Sequence, residues 1–156
     1  MLEIKQDDLT GSQIQALLQE HLSDMHATSP AESVHALDLQ ALKSPSITFW
    51  TIWHEQTLAG CAALQKIDDS HLELKSMRSA KQFKNQGIAS TMLKFLIAHA
   101  KQAGFEKISL ETGSMDYFKP AHQLYKKHGF SHCPPFANYV KDINSIFMTL
   151  DLAVAN

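Results

Sequence analysis

The sequence predicts an α/β fold: a mixed, mostly antiparallel central sheet with helices on both faces. Three observations carry this. Strand-like runs at 47–53, 58–67 and 71–78 are joined by the short polar turns His54-Glu55-Gln56 and Asp68-Asp69-Ser70, and connections that short force antiparallel neighbours. The third run leads through Phe83-Lys84-Asn85-Gln86-Gly87 into a long amphipathic run at 88–103. A further strand at 108–111 follows, and a strand reached through a helix lies parallel to the one before it.

The elements follow in order. Residues 2–5 alternate as a first strand would. Ser12-x-x-Gln15 has capping-box spacing, and Ile14, Leu17, Leu18, Leu22 and Met25 then recur at helical spacing, with His21 on the same stripe. Ser29-Pro30-Ala31-Glu32 marks a second helix start, with Pro at the first helical position and Glu at the third. Val34, Leu37 and Ala41 continue that helix and Pro45 closes the helical part. After the sheet runs, Ile88, Met92, Leu96, Ala100 and Ala103 define one side of the long helix, with Gly104 as its C-terminal cap. A last helix over about 120–128 ends at Gly129, and short strands around Phe130 and at 146–150 finish the chain.

The chain of 156 residues is long enough for one domain with a proper core, 1–156, and too short for two. No run of eighteen apolar residues is present. The N-terminus carries Glu3, Asp7 and Asp8 and has no basic-then-apolar signal pattern, so a cytosolic location is expected. With a formal net charge of −2 and no basic stripe, no nucleic-acid partner held through phosphates is expected. Cys61 and Cys133 read as reduced thiols, Cys61 as a small core residue of a strand. The nine histidines have no metal-ligand spacing, so no metal is expected. Trp50 and Trp53 fall on opposite faces of one strand, as core or contact residues.

The glycine loop is the most informative segment. Successive N–H groups at a helix N-terminus point one way and carry partial positive charge, which makes an anion site. Gly87 lets a phosphate approach without a Cβ in the way. Gly87 lacks the second Gly and the Lys of a P-loop, and the single Gly does not make a dinucleotide fingerprint. Lys84, three before it, and Ala89, two after it, complete a Q/R-x-x-G-x-G/A-like pattern. This pattern resembles the pyrophosphate-binding signature of the GNAT superfamily of acyl-CoA-dependent N-acyltransferases, with Lys84 in place of the usual Arg or Gln and Ala89 in place of the second Gly. The resemblance covers nearly the whole chain. It is most specific over 73–130, where Leu74-Lys75-Ser76-Met77-Arg78, the glycine loop and Ala121-x-x-Leu124-Tyr125-x-x-x-Gly129-Phe130 stand in family order. It implies fourth and fifth strands that splay apart, with the pantetheine arm of the acyl-CoA in the gap.

Acyl transfer from a thioester to an amine must hold the phosphates, deprotonate the amine, stabilise the carbonyl oxygen and protonate the leaving thiolate. The resemblance implies cofactor binding by Lys84, Asn85, Gln86, Gly87, Ile88, Ala89 and Ser90, and by the strand backbone at Met77 and Arg78. A backbone N–H near Met77 is the natural oxyanion donor. Glu73 is the candidate base, Glu111 the rival; for Glu73 the alternative is a solvated carboxylate beside Lys75. Tyr125 matches the family's proton donor to the thiolate, the alternative being a packing aromatic. His26, Ser33, His35 and Glu111 are candidates for the acceptor pocket, with Cys133-Pro134-Pro135-Phe136-Ala137-Asn138-Tyr139 as its other wall. The expected activity is acetyl transfer from acetyl-CoA to a small polar amine by direct attack, in a chain that can form a homodimer. A non-catalytic acetyl-CoA-binding module and a protein-modifying acetyltransferase are the alternatives.

Overall fold

A computed structural model describes residues 1–30 and 39–153. Among the described residues seven strands form one sheet: β1 (Leu2–Gln6), β2 (Ile47–His54), β3 (Thr57–Lys66), β4 (His71–Ser79), β5 (Lys107–Gly113), β6 (Ser131–His132) and β7 (Ser145–Asp151), in spatial order β1-β2-β3-β4-β5-β7-β6. Only the β4–β5 pair is parallel; the other neighbours are antiparallel. The mixed sheet and its one helix-linked parallel pair are as expected.

Because side chains alternate across a strand, each face gathers its own core. Trp50, Ile52, Leu64, Leu72, Leu74, Ile108 and Leu110 pack with α3 (Ile88–Gln102) and Tyr125 of α4 (Lys119–Lys127). On the other face Phe49, Cys61 and Ala63 pack with Ile14, Leu17 and Leu18 of α1 (Ser12–Thr28), with Leu42 of the four-residue α2 (Leu39–Leu42), and with Trp53 at the margin. The two tryptophans thus lie on opposite faces, and Cys61 is a buried free thiol.

Two local expectations change. Ser12 does not cap α1: Gly11 holds the cap position without a side-chain bond. The helix start is tied down otherwise, by Gln15 Nε2 donating to Leu9 O and by Gln13, which bonds Gln56 O and Leu58 N across the β2–β3 turn. Ala103 is exposed, because it is already the C-cap of α3. The second helix start falls on residues 31–38, outside the described residues.

Both later helices close alike. Phe105 N bonds Ala100 O and Gly104 N bonds Lys101 O; Phe130 N bonds Tyr125 O and Gly129 N bonds Lys126 O. These are Schellman closures, whose left-handed residue is Gly104 (φ 88) or Gly129 (φ 100).

The feature that positions the site lies between β4 and β5. Their pairing starts at His71↔Lys107 and stops at Leu74↔Leu110, although β4 continues to Ser79 and β5 to Gly113. β5 keeps its bonds to β7, as far as Gly113↔Ser145, while β4 keeps its own to β3. Ser76 and Met77 have no register partner on β3, whose pairing jumps from Ala63↔Lys75 to Cys61↔Arg78, and Ser76 takes φ 53. The bulge bends β4 away from β5 and opens the gap. Among the described residues no helix is long and apolar enough to cross a membrane.

Candidate active site

The gap between β4 and β5 continues as a cavity of about 530 Å³. One end is the loop between β4 and α3. A 3-10 turn at Lys81–Phe83, Asn85 at φ 61 and Gly87 at φ 79 reverse the chain so that α3 begins with its N–H groups at the cavity. Thr91 closes the first turn by donating its N–H and its hydroxyl to Gly87 O. A Cβ at Gly87 would meet no atom within 4 Å. The requirement for glycine is therefore the left-handed backbone, together with whatever occupies the open side. Lys84, Asn85, Gly87, Ile88, Ala89 and Ser90 line this end. Gln86 does not; its side chain donates to Gln82 O at 3.1 Å. Ser90 Oγ bonds His128 Nε2 at 3.0 Å, tying the loop to the end of α4.

Tyr125 lines the middle of the cavity and is 8% exposed. Its position three residues before the cap of α4 sets its ring against Phe130, 5.7 Å between centroids, in the closure just described. Its hydroxyl makes no hydrogen bond with any described residue, and burial pushes its pKa up to about 12. A phenol so placed stays protonated, as a proton donor must.

At the far end, Glu73 and Lys75 project from one face of β4, and both line the cavity. Glu73 is 4% exposed. Its Oε2 accepts from Tyr139 Oη at 2.6 Å and from Lys75 Nζ at 3.1 Å. Glu111 lines the cavity from β5 and accepts from Ser145 Oγ at 2.8 Å. Met77 and Arg78 line it from the bulge, but the Arg78 guanidinium turns to α1, donating to Glu20 Oε1 and Asp24 Oδ2, each at 2.6 Å. The Arg78 side chain is thereby tied to α1.

Of the expected acceptor residues, Glu111 reaches the cavity, His26 is exposed and does not line it, and Ser33 and His35 lie outside the described residues. From α1 the cavity is lined instead by His21, Asp24 and Met25. The His21 Nδ1 is buried without a partner among the described residues. Burial, then the Arg78 charge, lowers its pKa to about 4, so the ring is neutral at neutral pH. Its signal in the sequence was a polar residue on the apolar stripe of Leu17 and Leu18. Lys75 and Tyr139 carried a weaker signal, the first by its spacing from Glu73 and the second by none that names its partner.

The splayed parallel pair, the glycine-led helix and the cavity between them define an acyltransferase class, and the profile of the acetyltransferase (GNAT) family matches residues 14–130: the chain belongs to that family and is an acetyltransferase. It is 49% identical to an "uncharacterized N-acetyltransferase" of Bacillus subtilis, YsnE, over 97% of this chain and 100% of that one. It is 34% identical to an "IAA acetyltransferase" of Azospirillum brasilense, over 84% of this chain and 83% of that one. In fold it is similar to a GNAT family acetyltransferase from Elizabethkingia anophelis with acetyl-CoA bound, at a TM-score of 0.68 and 20% identity, over 96% of this chain and 97% of that one.

Proposed function

We propose that this protein transfers the acetyl group of acetyl-CoA to the amine of a small polar molecule by direct attack. One observation supports the reading above the others: a single cavity joins the anion cradle at Gly87, the protonated phenol of Tyr125 and the carboxylate of Glu73. Loop N–H groups at 87–90 hold the phosphates, and Lys84 adds a cation beside them. The unpaired backbone at Met77 and Arg78 holds the pantetheine, with a Met77-side N–H for the carbonyl oxygen. The amine nitrogen bonds to the thioester carbon as its proton passes to Glu73. The C–S bond breaks, and the thiolate takes its proton from Tyr125. His21, Asp24 and Glu111 form the acceptor wall. The reading takes 1–156 as one cytosolic acyltransferase domain and allows a homodimer.

The name of the Azospirillum relative supplies a second acceptor to test, IAA. The experiment is a thiol-release screen with acetyl-CoA against amines, amino acids, polyamines, aminoglycosides and IAA. Release with an amine and acetylation of its nitrogen support the reading. Acetyl-CoA binding without release to any acceptor leaves the binding-module alternative standing, and release only with a peptide leaves the protein-modifying one. No binding of acetyl-CoA overturns all three.

A further inference from the structure

Glu73 belongs to a closed cycle of hydrogen bonds. Tyr139 Oη donates to Glu73 Oε2 at 2.6 Å, Lys75 Nζ donates to the same oxygen at 3.1 Å, and Lys75 Nζ donates to Tyr139 Oη at 3.1 Å. Every bond to the carboxylate ends on Oε2; Oε1 makes none with any described residue. Charge-assisted bonds of this kind are short and directional, so two of them on one oxygen fix the plane of the carboxylate and turn the other oxygen away.

The two donors arrive by different routes. Lys75 is two residues along β4, on the same face as Glu73. Tyr139 comes from the segment between β6 and β7, which aromatic contacts hold over the sheet. The Tyr139 ring lies 5.2 Å from Phe136 and 5.5 Å from Phe147, and Phe136 lies 5.8 Å from His71. The ring is thus anchored without its hydroxyl.

We propose that Tyr139 and Lys75 are positioning residues that clamp Glu73 through Oε2 and present Oε1 as the oxygen that takes the acceptor's proton. This rests on the reading of Glu73 as the base. The charged and titratable groups around Glu73 are His71 and Lys75 on β4, Glu111 on β5 and Tyr139; Gln65 of β3 and Ser109 of β5 are its neutral partners across the sheet. Burial, then the Glu73 charge, hold the Tyr139 phenol well above its ordinary range, so it remains a donor. Removing either donor leaves the carboxylate free to turn, and Oε1 is no longer held in one direction.

The test uses the full chain and the amine found in the thiol-release screen. Tyr139→Phe and Lys75→Met are each expected to lower kcat by about tenfold to a hundredfold, as a misplaced reacting group does, with the KM for acetyl-CoA unchanged, and Lys75→Arg to recover most of the loss. An unchanged kcat in both variants overturns the clamp. A Glu73→Gln protein that keeps the parent rate overturns instead the assignment of Glu73 as base. The two substitutions act from different elements, so misfolding of one leaves the other decisive.

Discussion

In the proposed function Gly87 is the residue on which phosphate binding turns, and its backbone role and its ligand role can be separated. In the protein alone, a Cβ there meets nothing within 4 Å, so Gly87→Ala costs only what a left-handed backbone costs an L-residue. That is about 1–2 kcal/mol, or a fall in Tm of about 2–8 °C for a chain of this size. Gly87 has no capping side chain, so no cap bond is lost. Gly87→Glu carries the same strain, offset by about 0.3–1 kcal/mol for a negative charge at a helix N-terminus. Its apo Tm should therefore lie close to that of Gly87→Ala. The ligand response should not. Acetyl-CoA at about a hundred times its Kd stabilises the parent by about 2.7 kcal/mol, a rise of roughly 5–11 °C. In Gly87→Glu a carboxylate takes the place of the phosphates and the rise should vanish. The assay is a thermal scan of parent, Gly87→Ala and Gly87→Glu, with and without acetyl-CoA. A Gly87→Glu protein that folds and keeps the parental rise would refute the cradle.

Tyr125→Phe keeps the ring and breaks no hydrogen bond to a described residue, so the acetyl-CoA rise in Tm should persist while turnover on the screened acceptor falls about a hundredfold; turnover within twofold of the parent would make Tyr125 a packing residue. Gly113→Ala drives a Cβ into the Phe118 ring, which lines the cavity. Such overpacking costs about 1–3 kcal/mol, and a thermal scan should show a fall of roughly 2–12 °C. His21 has a folded pKa of about 4 against 6.5 unfolded, so folding binds its proton less readily. Its neutral form therefore contributes fully above pH 6.5, and stability is lost as pH falls from 6.5 toward about 4, by up to about 3 kcal/mol. Urea unfolding of His21→Gln across that range should be flatter than the parent; an equal slope would show that the other histidines carry the pH dependence.

The order of elements was legible because its signals are local. Period-two runs broken by three-residue polar turns leave few alternatives to an antiparallel meander. A glycine between a strand and an amphipathic helix marks a left-handed residue wherever the rest of the chain goes. The Leu124-Tyr125 and Gly129-Phe130 spacing proved to be a Schellman closure, itself a local geometry. The failures were local as well as tertiary. Ser12 has the composition of a cap, but Gln13 and Gln15 hold the start of α1 through contacts with segments distant in the chain.

The site was legible only in part. His26 and His21 are separated by five residues, and the sequence does not say which faces the cavity. That depends on the rotation of α1, set by burial of Ile14, Leu17 and Leu18 against β2 and β3. The sequence by itself determined the chain order of the elements around a glycine-led helix, and with it the family, because periodicity and left-handed glycine are properties of neighbouring residues. Tertiary structure alone decided the partners of the chemistry. Tyr139 meets Glu73 across 66 positions and Arg78 meets Glu20 across 58. Such meetings are fixed by where a β-bulge bends one strand and where aromatic packing lays a distant segment over it, which no short window of sequence encodes.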